Sequence, residues 1–231
     1  MIVLIGNFGS GKTELALNFA INAAKSGRTE LIDIDMINAY FRLSDRKTLI
    51  EAEEIRLISP HYVSTNVETL SLPAEINSAF HMDWETVIFD AGGDPAGATA
   101  LGRFKSDFER LGEDSLEVLN VVNLRRPLSG TAEKIIALMD GLEQNSRLKV
   151  SGLVNNTNLA GMTGPEELRD GFTALREVSV RSGVPVRYTT GTQEFLDAFL
   201  KEGHDPAYIG TPMAIRTYMH RDWDSFTRYG V

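Results

Sequence analysis

The sequence predicts an α/β protein with a mostly parallel central sheet and helices on both faces. Three observations support this prediction. An apolar run leads directly into a glycine-rich loop, further short apolar runs recur along the chain, and amphipathic segments of helix length separate most of them. Regular alternation of strands and helices is typical of parallel sheets covered on both faces. The length of 231 residues suits a single domain over 1–231.

The predicted strands are short runs rich in apolar side chains. Met1 to Ile5 is unbroken, which suits a strand buried on both faces. The other predicted strands are TELIDID (29–35), EIRLIS (54–59), TVIFD (86–90), LEVLNVV (116–122), KVSGLV (149–154) and VPVRY (184–188). We expect right-handed crossovers between neighbouring parallel strands.

The predicted helices carry their apolar side chains on one stripe. In KTELALNFAINAAKSG (12–27), Leu15, Phe19 and Ala23 share a face, and Gly27 is the expected stop. The same spacing recurs in the segments 131–144 and 163–183.

Two regions depart from this alternation. An irregular excursion around 59–85 contains two prolines and few periodic apolar positions, with a short helix predicted at 74–81. A C-terminal helical tail is predicted around 205–231, where aromatic residues are interspersed with acids and arginines. The tail has no sustained basic face, so we expect a docked helix rather than a membrane-bound one.

The composition argues against several classes of function. A net charge of −9 disfavours a broad nucleic-acid-binding face, which relies on lysine and arginine. The absence of cysteine excludes disulfides, thiolate metal sites and cysteine-held iron–sulfur clusters. No apolar run approaches the roughly 18 residues of a transmembrane segment, and we expect no signal peptide and a cytoplasmic location. The histidines have no metal-ligand spacing: His61, His81, His204 and His220.

The glycine-rich loop GNFGSGKTE predicts a phosphate site. Gly6 to Thr13 fits the pattern G-x-x-x-x-G-K-[ST] in full, between a predicted strand and a predicted helix. Glycines let backbone N–H groups approach phosphate oxygens, Lys12 adds a charge at the β- and γ-phosphates, and the Thr13 hydroxyl binds Mg²⁺. We expect nucleotide contacts from Gly6, Asn7, Phe8, Gly9, Ser10, Gly11, Lys12, Thr13 and Glu14.

Two other predicted strands end in carboxylates that suit Mg²⁺ and an attacking water. TVIFD ends in Asp90, a predicted Mg²⁺ ligand, and D-x-x-G follows up to Gly93, whose N–H can contact a γ-phosphate. Asp33 and Asp35 are two residues apart, so they would share one face of the second strand. Asp35 is the better candidate for the Mg²⁺ shell or the attacking water. Asp33 would cap or orient the turn that follows the strand.

Together these motifs resemble the MinD/ParA branch of the SIMIBI class of P-loop NTPases. The resemblance extends over about residues 1–190 in the order of elements, and its sharp motifs lie at 6–13, 33–35 and 90–93. It implies a parallel sheet, ATP-dependent dimerisation and slow ATP hydrolysis stimulated by a partner protein. It also implies the phosphate, Mg²⁺ and water-positioning roles just given.

The chain departs from that family at one position of the loop. Relatives carry a lysine where this sequence has Asn7, and that lysine normally reaches the phosphates of the other subunit in a dimer. Its absence predicts slow intrinsic hydrolysis, with a cation supplied by a partner or by Arg42, which follows the second predicted strand. Whether the protein forms a homodimer stays open.

The residues after KVSGLV bear on the choice of base. They read NNTNL (155–159), where guanine-specific relatives have N-K-x-D. Asn158 would stand in place of the aspartate that accepts from guanine, and an amide can instead serve adenine, which donates at N6 and accepts at N1. The sequence favours ATP (or ADP) with Mg²⁺, and Asn155 or Asn156 as the base reader. An Asx-turn is the alternative for any of these asparagines.

Three functions fit these motifs. The first is a nucleotide-driven switch, an ATPase that acts on an unknown protein partner, and D-x-D with D-x-x-G favours it. The second is a small-molecule kinase, for which NLRRPLSG (123–130) would supply a lid of arginines. The third is a nucleotide-binding regulatory module that does not hydrolyse its ligand.

Overall fold

The computed structural model describes residues 1–35, 42–60, 73–93 and 95–219. The strands are β1 (Ile2–Gly6), β2 (Thr29–Asp33), β3 (Arg56–Ile58), β4 (Thr86–Asp90), β5 (Glu117–Val122), β6 (Gly152–Asn155), β7 (Val186–Gly191) and β8 (Thr211–Ala214). The α-helices are α1 (Lys12–Ala24), α2 (Lys47–Ala52), α3 (Pro95–Gly102), α4 (Lys105–Leu111), α5 (Ala132–Ser146), α6 (Pro165–Ser182) and α7 (Gln193–Leu200). Short 3-10 helices lie at Leu43–Arg46, Ala74–Phe80, Glu113–Ser115, Pro127–Ser129, Ala160–Met162 and Pro206–Tyr208.

The described strands form one parallel sheet in the order β3-β2-β4-β1-β5-β6-β7-β8. This confirms the predicted α/β fold with a parallel sheet and helices around it. The carboxyl ends of parallel strands meet at one edge of a sheet, where ligands of such folds bind. The loops that follow β1, β2, β4, β5 and β6 therefore gather at one edge, with the β1 loop at the centre.

The core lies on both faces of the sheet, and β1 contributes to each side. Val3 and Ile5 pack into the cluster formed with α3, α5 and α6. Leu4 faces the opposite cluster, which includes side chains of α1 and α2. Truncating a buried residue of this size to alanine typically costs about 2–5 kcal/mol. The glycine-rich loop therefore starts from a strand that is buried on both faces.

The structure differs from the predicted helical tail. From residue 205 the chain forms a short 3-10 helix and then β8, which pairs with β7. The β8 segment TPMA is short and mostly exposed, so it lacks the apolar run by which a strand is predicted. The predicted short helix at 74–81 is present as a 3-10 helix. The parts of the tail and excursion at 220–231 and 61–72 lie outside the described residues. Within the described ranges, no helix is long and apolar enough to span a bilayer.

Candidate nucleotide-binding site

The loop between β1 and α1 needs glycine at both of its ends. Gly6 has φ +147°, and a Cβ there would collide with the carbonyl oxygen of Val121 on β5. Gly11 has φ +90°, and a Cβ there would collide with the side-chain amide of Asn156. Residues with a side chain rarely adopt these backbone conformations. The loop therefore takes its shape from close contact with the ends of β5 and β6.

Lys12 points back onto the loop. Its buried ammonium donates to the carbonyl oxygens of Gly6 at 3.2 Å and of Asn7 at 3.1 Å. Beside it, the Ser10 hydroxyl is buried without a hydrogen-bond partner. A buried polar atom without a partner is costly, and a phosphate oxygen would satisfy it. Phe8, at the tip of the loop, is 65% exposed.

The carboxylate of Asp90 is a buried acidic group at the site. Asp90 is 1% exposed, and neither carboxylate oxygen has a well-formed hydrogen bond. Burial raises its pKa to about 7, although the Lys12 ammonium and then the Thr13 hydroxyl lower that pKa. A buried carboxylate beside a threonine hydroxyl fits Mg²⁺, since Mg²⁺ prefers oxygen ligands and takes the rest from water and phosphates. No cluster of three or more metal-binding side chains occurs among the described residues.

Asp33 lies beside Asp90, because the two residues are paired across β2 and β4. Burial, and then the charge of Asp90, raises the pKa of Asp33 well above its usual value. The Asp33 carboxylate accepts from the Asp35 N–H at 2.9 Å, as expected for a residue that orients the turn. Asp35 extends towards the turn after β4, where a Cβ on Gly92 would lie 3.2 Å from its Oδ1. The roles of Asp35 in Mg²⁺ binding and water positioning stay predictions.

The D-x-x-G turn after β4 touches the glycine-rich loop directly. A Cβ on Gly93 would lie 2.5 Å from the backbone nitrogen of Phe8 and 2.9 Å from the carbonyl carbon of Asn7. Only a glycine allows this approach without a shift of backbone. A ligand that enters the loop would therefore meet this turn.

Both candidate base readers already use their amides within the protein. Asn156 donates to the Ser10 carbonyl at 2.7 Å and accepts from the Thr190 hydroxyl at 2.7 Å. Asn155 donates to the Leu168 carbonyl at 3.0 Å, and its oxygen accepts from a backbone N–H. Base reading by either residue would require these bonds to break. Base reading stays a prediction. The alternative role for Asn156 is to brace the glycine-rich loop through these bonds.

One residue that the motifs did not single out contacts the loop. Arg126 donates from Nε to the Gly9 carbonyl at 2.8 Å. Its neighbour Arg125 instead pairs with Glu167 and Asp170 at 3.1 and 2.6 Å. The sequence signal was the NLRRPLSG segment, but the spacing of the two arginines could not indicate which one reaches the loop.

Two of the predicted residues remain, Arg42 and Glu14. Arg42 precedes the 3-10 helix Leu43–Arg46, and nothing in the described structure tests its predicted approach to the phosphates. Glu14 directs its carboxylate to the backbone of residues 218 and 219.

The chain is similar in fold to several solved structures, although no protein-family model and no curated protein matches it. FtsY from Mycoplasma mycoides is 15% identical with a TM-score of 0.54, over 82% of this chain and 59% of that one. The signal recognition particle receptor FtsY from Elizabethkingia anophelis in complex with GDP is 18% identical with a TM-score of 0.53, over 87% and 63%. Chloroplast FtsY from Physcomitrella patens is 16% identical with a TM-score of 0.55, over 81% and 57%.

These similarities show a shared fold, and membership of the SIMIBI class of P-loop NTPases stays a prediction. The chain spans about three fifths of the length of these neighbours, and identities this low speak for the fold alone. Membership of the MinD/ParA branch, which the motifs resemble, stays a prediction.

Proposed function

We propose that this protein is a Mg²⁺-dependent nucleotide switch, a slow ATPase whose conformation acts on a partner protein. The contact between Gly93 and the Asn7–Phe8 backbone carries this proposal. A γ-phosphate in the loop would meet the same turn that begins at Asp90, so nucleotide binding and hydrolysis would displace it. Turns of this kind transmit nucleotide state in switch proteins.

Lys12, Thr13 and Asp90 would hold the phosphates and Mg²⁺. Lys12 would exchange at least one loop carbonyl for a phosphate oxygen, and Thr13 would add its hydroxyl to the metal. Mg²⁺ would neutralise phosphate charge. Asp90 offers two buried oxygens without a well-formed hydrogen bond, and Asp35 would orient a water near the same turn.

The kinase alternative has less support. A lid needs arginines that are available to a second substrate. Arg125 pairs with two carboxylates and Arg126 bonds to the loop itself. Both arginines of NLRRPLSG are thus anchored to the protein.

The choice of ATP over GTP rests on the asparagines after β6, whose amides suit adenine. The GDP complex of one structural neighbour makes GTP the necessary comparison. We expect calorimetry to give tighter binding of ATP than of GTP, with Mg²⁺ strengthening both. Equal or inverted affinities would contradict the choice of base while leaving the switch intact.

The Lys12→Ala variant tests the nucleotide binding on which the switch depends. Removing the ammonium should abolish binding or weaken it greatly, because charge-assisted hydrogen bonds to phosphate are the strongest ones available. Lys25→Ala, at the other end of α1 and bonded to Asn22, is the matched control and should bind as wild type. Wild-type affinity in Lys12→Ala would remove the proposed function.

A further inference from the structure

The last described residues of the chain are held against the start of α1. Residues 215–219 follow β8, and we name them the strap. Asn18 bridges to Arg216 in both directions: its Oδ1 accepts from the backbone N–H at 2.8 Å, and its Nδ2 donates to the carbonyl at 2.9 Å. One helical turn earlier, the Glu14 carboxylate accepts from the N–H groups of Tyr218 and Met219 at 2.7 and 3.0 Å.

The strap also contacts the segment that follows β2. Arg46 donates from Nε to the Tyr218 carbonyl at 2.5 Å. The Met219 side chain is buried in the core cluster that α1 and α2 share. The strap is thus held on one side by the helix that follows the glycine-rich loop. On the other side it is held by the 3-10 helix that follows the acidic end of β2.

The two hydrogen bonds from Glu14 to the strap come from the same helical turn that would bind nucleotide. Glu14 directly follows Thr13, and Lys12 begins the helix. Lys12 now bonds to two loop carbonyls, and engaging a phosphate would exchange at least one of these bonds within this first turn. Asn18 is placed one turn further along the same face. A change in the first turn therefore reaches the strap through Glu14 and Asn18.

The charge of Glu14 gives this link a direction. A carboxylate in the first turn has the same sign as the phosphates. Two backbone N–H groups of the strap hold it on the strap side. If the strap left, a solvated negative charge would be free to approach the phosphates. The docked strap therefore suits the nucleotide-bound state.

We propose that the strap is a nucleotide-linked element: bound nucleotide favours its docked position, and docking in turn strengthens nucleotide binding. This inference rests on the proposed nucleotide binding. Linkage requires the two effects to have the same magnitude, and couplings of this kind are typically about 5- to 150-fold.

The first experiment needs no variant. Amide hydrogen exchange of residues 215–219 is measured in the full chain with and without Mg·ATP, beside calorimetry on the same sample. We expect nucleotide to slow exchange at Tyr218 and Met219 by about 5-fold or more. Unchanged exchange with nucleotide bound would overturn the strap inference and leave the proposed function intact. A lack of any binding would instead remove the proposed function and the inference with it.

The second experiment breaks the bridge from the helix side. Asn18→Ala removes both bonds to Arg216 while placing a good helix former in α1. We expect faster strap exchange and a Kd for Mg·ATP raised about 5-fold or more. Asn22→Ala is the matched control, since Asn22 is an exposed residue of the same helix that bonds to Lys25. A freed strap with wild-type affinity would refute the link.

Discussion

At the scale of single residues, two adjacent arginines have different jobs. Arg126 bonds to the Gly9 carbonyl, whereas Arg125 pairs with carboxylates of α6. Arg126→Ala removes a brace and a positive charge beside the loop. We therefore expect its nucleotide Kd to rise about tenfold, in line with hydrogen bonds of charged groups. The Kd of Arg125→Ala should stay within about twofold of wild type, because Arg125 contacts carboxylates of α6 and not the loop. Calorimetry that finds equal losses in both variants would contradict this assignment.

The buried Asp90 makes stability depend on pH. Its pKa rises from 3.8 in the unfolded reference to about 7 in the fold. The folded state therefore binds this proton more tightly, and the free energy of unfolding falls as pH rises across that interval. A tenfold change in proton affinity corresponds to about 1.4 kcal/mol. Without Mg²⁺ and nucleotide, Asp90→Asn should be more stable than wild type near pH 8, by up to about 4 kcal/mol.

Urea denaturation at about pH 5 and pH 8 measures this difference. The free energy of unfolding should change less between the two pH values in the variant than in wild type. In the variant, Asp33 is the one carboxylate of the buried pair that still titrates. The same slope in both proteins would mean that Asp90 ionises freely in the fold. Adding Mg²⁺ and nucleotide to wild type should offset the loss of stability at high pH, because the metal favours the ionised carboxylate.

Residue-level predictions from the sequence succeed where a motif dictates one geometry. The pattern from Gly6 to Thr13 requires a tight loop between strand and helix, and the structure has one. Asn156 shows the limit. Its sequence context allows either a base reader or a turn, and its bonds to Ser10 and Thr190 depend on contacts between distant strands. Pattern and spacing carry no information on such pairings.

At the scale of elements, the end of β6 braces the loop that follows β1. Asn156 links the Ser10 carbonyl to the Thr190 hydroxyl at the end of β7. If Asn156 is a brace, Asn156→Ala should weaken the binding of ATP, GTP and pyrophosphate by the same factor, about tenfold. The reason is that all three ligands use the phosphate-binding loop that the substitution loosens. A base reader would instead affect ATP and leave pyrophosphate unchanged. Competition binding with the three ligands separates the two roles, and Asn145→Ala, at an exposed asparagine of α5, serves as the control.

The elements themselves were predicted well where burial determines the pattern of apolar residues. The runs at β1, β2, β4 and β5 are apolar because both faces of a central strand are covered. β8 was missed because an edge strand that is mostly exposed needs no apolar run, and it contains Pro212, which disfavours a strand prediction. Its pairing with β7 is set by tertiary packing rather than by its own residues.

At the scale of the whole molecule, the fold places every sequence motif at one edge of the sheet. The loop after β1 lies between the ends of β4 and β5, so carboxylates approach it from one side and amides and Arg126 from the other. The topology of a parallel sheet makes this clustering predictable from the order of elements alone. Partner and oligomeric state are not encoded in that order, because they depend on surfaces.

The rate of the whole cycle depends on the positive charge available at the γ-phosphate. Asn7 cannot deliver positive charge to a γ-phosphate, and a single arginine placed there typically contributes about 10³ to 10⁵ in rate. We therefore expect the isolated protein to hydrolyse ATP slowly, with the cation supplied by a partner or by Arg42. Steady-state ATPase of wild type, Asn7→Lys and Arg42→Ala, read beside the oligomeric state, tests this. Further loss in Arg42→Ala would assign the cation to this chain, and no loss together with slow turnover would assign it to a partner. Rapid turnover by monomeric wild type, unaffected by Arg42→Ala, would refute the argument.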